Sequence, residues 1–363
     1  MRAIHTLILV AAMTTLATAQ APAPIAKVEL SVRNAPSTGL LIPPGDPVFR
    51  YLGAVVQPFG DAFPRKNFVN THLMITSKNN EPPYSVEFQV RGSEFEIVEL
   101  GNKGKIRISV NGAPITEVLQ ATPPDGGIYL RKVQFRSAAL RTIRLDVANY
   151  AFGGLRVMSG TTVTAPNTAR QPRAMFVGDS YTEGGTGAAA SFTAYPATVG
   201  RLMNWEVWNS GVGGTGYTRG GPSGRVRLSE RLERDVIAHR PDIVLLAYGH
   251  NDSDPGSELD REARNVVRRL KVSLPATRII MVGPFSEQTP PPAHIPLVRD
   301  ILKSVADDEG LLWVDPIDWI TGNKRTGSPG NAIDYIQDDY VHPTQKGHDY
   351  IGQRLAQEIR ARW

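Results

Sequence analysis

The sequence predicts an α/β fold, a doubly wound parallel sheet, preceded by an all-β sandwich. Three observations carry this. A chain of 363 residues exceeds the ~250–300 residues at which a single core stops growing. Up to about residue 164 the apolar residues recur with a period of two. Beyond about residue 165 short apolar runs alternate with helical stripes.

The first half justifies the sandwich. Val86, Phe88 and Val90 alternate with Ser85, Glu87 and Gln89. Ile106, Ile108 and Val110 alternate with Lys105, Arg107 and Ser109, and Ile143, Leu145 and Val147 with Thr142, Arg144 and Asp146. Such alternation predicts half-buried antiparallel sheet, apolar on one face and polar on the other. Asn111-Gly112, between Lys105–Val110 and Ala113–Val118, is a strong hairpin signal. Two such sheets face to face make a sandwich over residues 20–165.

The second half, residues 166–363, justifies the α/β sheet. Strands are expected at Ala174–Val177, Trp205–Trp208, Ile243–Tyr248, Ile279–Val282 and Leu311–Val314. Helices are expected at Ala194–Met203, along Leu228, Leu232, Val236 and Ile237, at Glu258–Val272, at Pro296–Asp307, and finally along Ile351, Leu355 and Ile359. Continuous apolar strands alternating with helices predict a parallel sheet covered on both faces.

Composition excludes other classes. Hydrophobic residues at 41% and charged residues at 21% are ordinary globular material. The net charge of +5 is spread over helix faces with interleaved acids, so no nucleic-acid partner is expected. With no cysteine, thiol nucleophiles, disulfides and thiolate metal sites are excluded. Arg2, the apolar run Ile4–Leu16 and Ala17-Thr18-Ala19 predict a signal peptide over residues 1–19. Ala21-Pro22-Ala23-Pro24 argues against a continuing helix. The expectation is an exported chain, secreted or periplasmic, with no membrane span once the signal is cleaved.

In a doubly wound sheet, ligands bind beyond the carboxyl ends of the strands. Four polar clusters fall there: Gly178-Asp179-Ser180 after the first strand, Asn209 to Gly214 after the second, Gly249-His250-Asn251-Asp252 after the third, and Asp339-Tyr340-Val341-His342 before the last helix. Their residue types suit acyl transfer. A serine hydroxyl such as that of Ser180 needs a base within hydrogen-bond reach. His342 can be that base, because an unperturbed imidazole is largely neutral at pH 7. Asp339, three residues earlier, can accept the other ring N–H and fix the tautomer. Pro343 suits a first helical turn, which would hold His342 at a loop–helix junction. Three donors can meet an oxyanion: the Ser180 N–H, the N–H of Gly214, where lack of a side chain allows close approach, and the Asn251 amide.

Other constellations fail on spacing. Asp252-x-Asp254 is followed by Pro255 and Gly256, which do not fit a calcium loop. His342 and His348 do not make a zinc motif, and no P-loop or dinucleotide fingerprint is present, so neither metal nor cofactor is expected. Asn251-Asp252 can also cap the following helix. Trp205 and Trp208 read as core or rim rather than as a sugar platform.

These four blocks resemble those of the SGNH, or GDSL, hydrolase superfamily over about Arg173 to Trp363. The resemblance implies a flavodoxin-like sheet with Ser180 as nucleophile, Gly214 and Asn251 in the oxyanion hole, and Asp339 and His342 as acid and base. It also implies that Asp252 braces the first loop. The N-terminal half, through Ile108-Ser109-Val110-Asn111-Gly112 and Phe152-Gly153-Gly154-Leu155-Arg156-Val157, is similar to the jelly-roll-like sandwich of family-two acetyl-xylan esterases. There the acid partner of the histidine can be absent, whereas Asp339 is present here. The implied activity is a secreted serine esterase removing small acyl groups, acetyl above all, from carbohydrate. A lipase, arylesterase or polyester-active esterase, or a sugar O-acyltransferase, would use the same residues. Oligomeric state is left open.

Overall fold

The computed structural model describes residues 26–71, 83–116, 120–167, 169–184 and 191–363. The expected signal peptide therefore lies outside the described residues.

The N-terminal half is an antiparallel sandwich whose strands form one connected set of twelve. Two long strands, Tyr84–Leu100 and Ile128–Ala148, run through both layers. Their register shifts between the Gln134–Glu94 and Ala139–Gly92 pairs. Around that irregularity the buried positions of the first strand change phase, from Val86, Phe88 and Val90 to Phe95 and Ile97. A bulge bends a strand and re-aims its faces, which lets one strand serve two layers. The sequence pattern alone implied separate short strands.

At the predicted hairpin Val110 pairs with Ala113. Asn111 and Gly112 both have positive φ, +50° and +84°, the pair that a two-residue type I′ turn requires. The return strand is only Ala113–Pro114, and residues 117–119 of the longer expected strand lie outside the described residues.

The polar face of this sheet departs from expectation. Ser85, Glu87 and Asp146 are buried rather than solvated. Arg144 and Arg107 bond Asp146 and Arg144 bonds Glu87, while the Arg107 guanidinium also lies over the Phe192 ring of the second half. Burial pushes the Asp146 carboxyl up, but the two guanidinium groups outweigh it and hold the acid at about 2.

The second half is a five-stranded parallel sheet in the order second, first, third, fourth, fifth: Glu206–Gly211, Arg173–Gly178, Ile243–Ala247, Arg278–Val282 and Leu312–Val314. Successive residues of the first strand face opposite layers. Met175 and Val177 join the helices α3 (Leu228–Asp235), α4 (Ser257–Ser273) and α5 (His294–Asp308), whereas Ala174 and Phe176 join α2 (Tyr195–Met203) and α7 (Gln345–Arg360). All four are fully buried, so each methylene contributes about 0.8 kcal/mol. The expected helical stripe through Val236 and Ile237 breaks after Asp235, and Ile237–His239 forms a separate 3₁₀ turn. Trp205 and Trp208 are core residues.

The chain leaves the first strand toward its second-strand neighbour, then crosses to the third strand on the other side. That reversal opens a crevice at the carboxyl end of the first strand. No helix among the described residues is long and apolar enough to cross a membrane.

Candidate active site

The first strand ends at Gly178, where a Cβ would stand 2.0 Å from the Thr182 hydroxyl and 2.7 Å from the Ala247 carbonyl, so only glycine fits the turn. Asp179 caps the four-residue helix α1 (Ser180–Glu183) by accepting from the Tyr181 N–H at 3.0 Å. Burial pushes the Asp179 carboxyl up to about 6, against the pull of His250 and the Tyr181 N–H. Ser180 opens this helix, its side chain aimed at a histidine that is 162 positions later.

That histidine is His342, whose Nε2 lies 3.0 Å from the Ser180 Oγ. Its Nδ1 lies 2.6 Å from Asp339 Oδ2. The other carboxylate oxygen accepts the N–H groups of Val341 and His342, both at 3.0 Å. Burial alone would raise the Asp339 pKa; these bonds and the imidazole outweigh it and hold the carboxyl below its usual range. Asp339 is thus a standing anion beside the ring. The turn that brings it back passes through Tyr340 at φ +61°. Pro343 does not sit in the first helical turn as expected. Thr344 caps α7 through the Gly347 N–H, and Pro343 precedes that cap, bridging instead to Ile336, which follows the short helix α6 (Ala332–Tyr335).

Two further contacts hold the serine and histidine loops together. The Tyr181 hydroxyl donates to the Val341 carbonyl at 2.6 Å. Its ring stacks on Phe285 with centroids 5.4 Å apart and lies 6.3 Å from the His342 ring. Neither residue was singled out in the sequence, because the pairing is purely tertiary.

The glycine loop after the second strand closes the other side. Val212 to Thr215 form a turn with the Thr215 N–H donating to the Val212 carbonyl at 3.3 Å. Gly214 has φ +76° while Gly213 stays out of that region, the pattern of a type II turn. Lack of a side chain matters differently from expectation. It is at Gly213 that a Cβ would crowd the serine, 3.3 Å from Ser180 Cβ and 2.5 Å from Glu183 Oε2. Gly214 is needed for its positive φ, and its own Cβ would meet Pro222.

Glu183 and Arg225 grip this turn. The Gly213 N–H donates to Glu183 Oε2 at 2.8 Å, and Arg225 Nη1 donates to the Gly213 carbonyl at 2.8 Å. The two charged groups are 3.9 Å apart. Glu183, three residues after Ser180, carries no signal of its own in the sequence, and Arg225 lies in a loop without periodicity.

Asn251 donates to the Thr215 carbonyl at 3.1 Å, which leaves the second hydrogen of the same nitrogen for another acceptor. Asp252 departs from both expectations. It braces the second loop, not the first, accepting from the Tyr217 N–H, the Thr218 N–H and the Thr218 hydroxyl. Nor does it or Asn251 cap a helix, since α4 starts after Gly256. Among the described residues no group of three His, Asp or Glu side chains is arranged to hold a metal ion.

Residues 176–350, which include Ser180 and His342, match the GDSL-like Lipase/Acylhydrolase family. The chain is 25% identical over 227 residues to the GDSL lipase Rv0518 of Mycobacterium tuberculosis, spanning 56% of this chain and 92% of that protein. It is 27% identical over 219 residues to an acetylxylan esterase of Geobacillus stearothermophilus, spanning 52% of this chain and 94% of the relative. In fold it is similar to the salicylyl-acyltransferase SsfX3 from a tetracycline biosynthetic pathway (TM-score 0.64, 18% identity, 88% of this chain and 97% of that one). It is also similar to a family two carbohydrate esterase from Clostridium thermocellum (TM-score 0.61, 17% identity, 86% and 98%). The last two likenesses span both halves, sandwich and sheet together. The crevice at the sheet's switch point and the four sequence blocks converging on it all lie within the matching segment, so residues 176–350 carry the GDSL/SGNH carboxylic ester hydrolase pattern.

Proposed function

We propose that this protein is an exported serine esterase that removes small acyl groups, acetyl above all, from carbohydrate. The observation that carries the reading is the unbroken chain Ser180 Oγ, His342 Nε2, His342 Nδ1, Asp339 Oδ2, with links of 3.0 and 2.6 Å. His342 takes the Ser180 proton as the oxygen attacks the ester carbonyl, and Asp339 stabilises the imidazolium so formed. The tetrahedral oxyanion is met by the N–H groups of Ser180 and Gly214 and by the Asn251 amide, donors worth roughly 2.7–4 kcal/mol each. His342 then returns the proton to the leaving sugar oxygen, giving the acyl-enzyme and a free hydroxyl. Water, activated by the same imidazole, releases the acid.

Residues 20–165 are read as an accessory domain and residues 166–363 as the catalytic one, behind a signal peptide at 1–19. The names of the acetylxylan esterase and family two carbohydrate esterase relatives support the carbohydrate substrate. The test is acetate release from a panel of acetylated polysaccharides, with p-nitrophenyl esters of rising chain length beside it. The expected outcome is steep loss of kcat/KM beyond short acyl groups and, for Ser180→Ala, loss of nearly all activity. Parent-level hydrolysis by Ser180→Ala would remove the nucleophile assignment. A preference for long chains would favour a lipase, and transfer to an added sugar in place of acetate release an acyltransferase.

A further inference from the structure

We propose that Arg225 is a positioning residue for oxyanion stabilisation, fixing the peptide unit that carries the Gly214 N–H. The inference rests on the reading of Gly214 as an oxyanion donor.

The Gly213 carbonyl and the Gly214 N–H belong to the same planar trans peptide and point in opposite directions. Whatever holds the carbonyl therefore aims the N–H. That carbonyl accepts from Arg225 Nη1 at 2.8 Å. The unit is also the central peptide of the Val212–Thr215 turn, and a half-rotation of it converts type II into type I. In the type I form Gly214 would have φ near −90°, which glycine adopts as readily as +76°. Two consecutive glycines give the turn no steric preference. A flipped unit would aim a carbonyl oxygen where the N–H had been, opposing the oxyanion.

Arg225 breaks that tie with a charge-assisted bond, about twice as strong as a neutral one. Its cation on the carbonyl side also polarises the amide and makes the N–H a better donor. The preceding peptide is fixed from the opposite direction, since the Gly213 N–H donates to the carboxylate of Glu183. Anion on the N–H and cation on the carbonyl suit the dipole of each unit, and at 3.9 Å the two groups offset each other's burial. Arg225 is itself anchored, its carbonyl accepting from the Gly221 N–H at 2.8 Å next to the Pro222 ring that packs near Gly214.

Three variants separate donation from charge. Arg225→Met can neither donate nor carry charge, Arg225→Gln donates without charge, and Arg225→Lys keeps both with a poorer fit. The expected result is a fall in kcat of about 10–100-fold for Arg225→Met, below the 10²–10³ for removal of a donor because the turn still visits the active form. Arg225→Gln and Arg225→Lys should recover part of it. KM should stay within about twofold, and the pH profile of kcat/KM should keep its midpoint, because the base is untouched. Should Arg225→Met not fold, the same split between kcat and KM is read on Arg225→Gln. An unchanged kcat in folded variants, or a loss lying wholly in KM, overturns the proposal. Ser180→Ala and Asn251→Ala run alongside report on the underlying reading. If they lose activity while the Arg225 variants do not, this inference alone fails; if they keep it, the reading beneath fails.

Discussion

The hydroxyl of Tyr181 donates to the carbonyl of Val341, tying the residue after Ser180 to the residue before His342 across 160 positions of sequence. The Ser180–His342 separation of 3.0 Å is set by two loops that share no secondary structure, so this bond is the direct strap between them. Tyr181 is otherwise buried and packed on Phe285, which holds the ring in place without the hydroxyl.

Tyr181→Phe should therefore lower kcat by about 3–10-fold with KM nearly unchanged, the rate equivalent of one neutral hydrogen bond of ~1 kcal/mol. Steady-state kinetics on a short-chain ester checks it. A parent kcat in this variant would show that ring packing alone sets the distance.

Asp339→Asn isolates the anion. Its amide oxygen can still accept the Val341 and His342 N–H groups, so the turn should survive, but its NH₂ cannot accept the imidazole N–H. The ring is then driven to the wrong tautomer, and kcat should fall by ~10²–10⁴-fold. Because the Asp339 carboxyl is held below its usual range, it is ionised throughout pH 6–9, so the deficit anywhere in that interval reports the lost anion. Comparing the two enzymes across that interval is the check; a deficit below about threefold would leave His342 acting without its acid.

The site was more legible in the sequence than the residues that support it. Ser180, Gly214, Asn251, Asp339 and His342 each sit in a short block at the end of a strand or ahead of a helix, so type, spacing and strand order are enough to single them out as candidates. Arg225 carries no such signal: its relation to Gly213 arises only when the loop folds back on itself, and an arginine among Pro222, Ser223 and Gly224 reads as solvated surface. The resemblance alone put Asp252 on the first loop; spacing says that a carboxylate stands beside Asn251 but not which amides it meets. In the sandwich, period two located the core face through Val86, Phe88 and Val90. It mistook Glu87 and Asp146 for solvent-facing because Arg144, which covers Glu87, and Arg107, which helps cover Asp146, come from neighbouring strands. The bend in Tyr84–Leu100 escaped because a bulge changes phase without changing composition.

Asn251→Ala removes a side-chain donor and leaves the Thr215 carbonyl without its bond from that amide. The expected cost is 10²–10³ in kcat with a much smaller change in KM, the mark of an interaction made in the transition state. Binding of a boronic acid that mimics the tetrahedral intermediate should weaken in parallel. If kcat fell while boronate affinity stayed at the parent level, Asn251 would be shaping the loop rather than meeting the oxyanion.

His348 predicts how the fold responds to acid. It is 1% exposed, its Nε2 has no hydrogen-bond partner, and burial, with the nearby His342 adding to it, lowers its pKa to about 4. The unfolded chain takes up this proton near pH 6.5, whereas the native state resists until about pH 4. A depressed folded pKa gives stability that is full above the unfolded value and is lost as pH falls through the window between them. At 1.36 kcal/mol per unit the loss amounts to about 3 kcal/mol between pH 7 and 4. His348→Gln, which cannot take up the proton, should flatten the dependence of Tm on pH over that interval even where its Tm at pH 7 is lower, because the slope reports only protons bound on unfolding. Thermal melts of both proteins at half-unit steps decide it: parallel slopes would place the acid-sensitive group elsewhere in the fold.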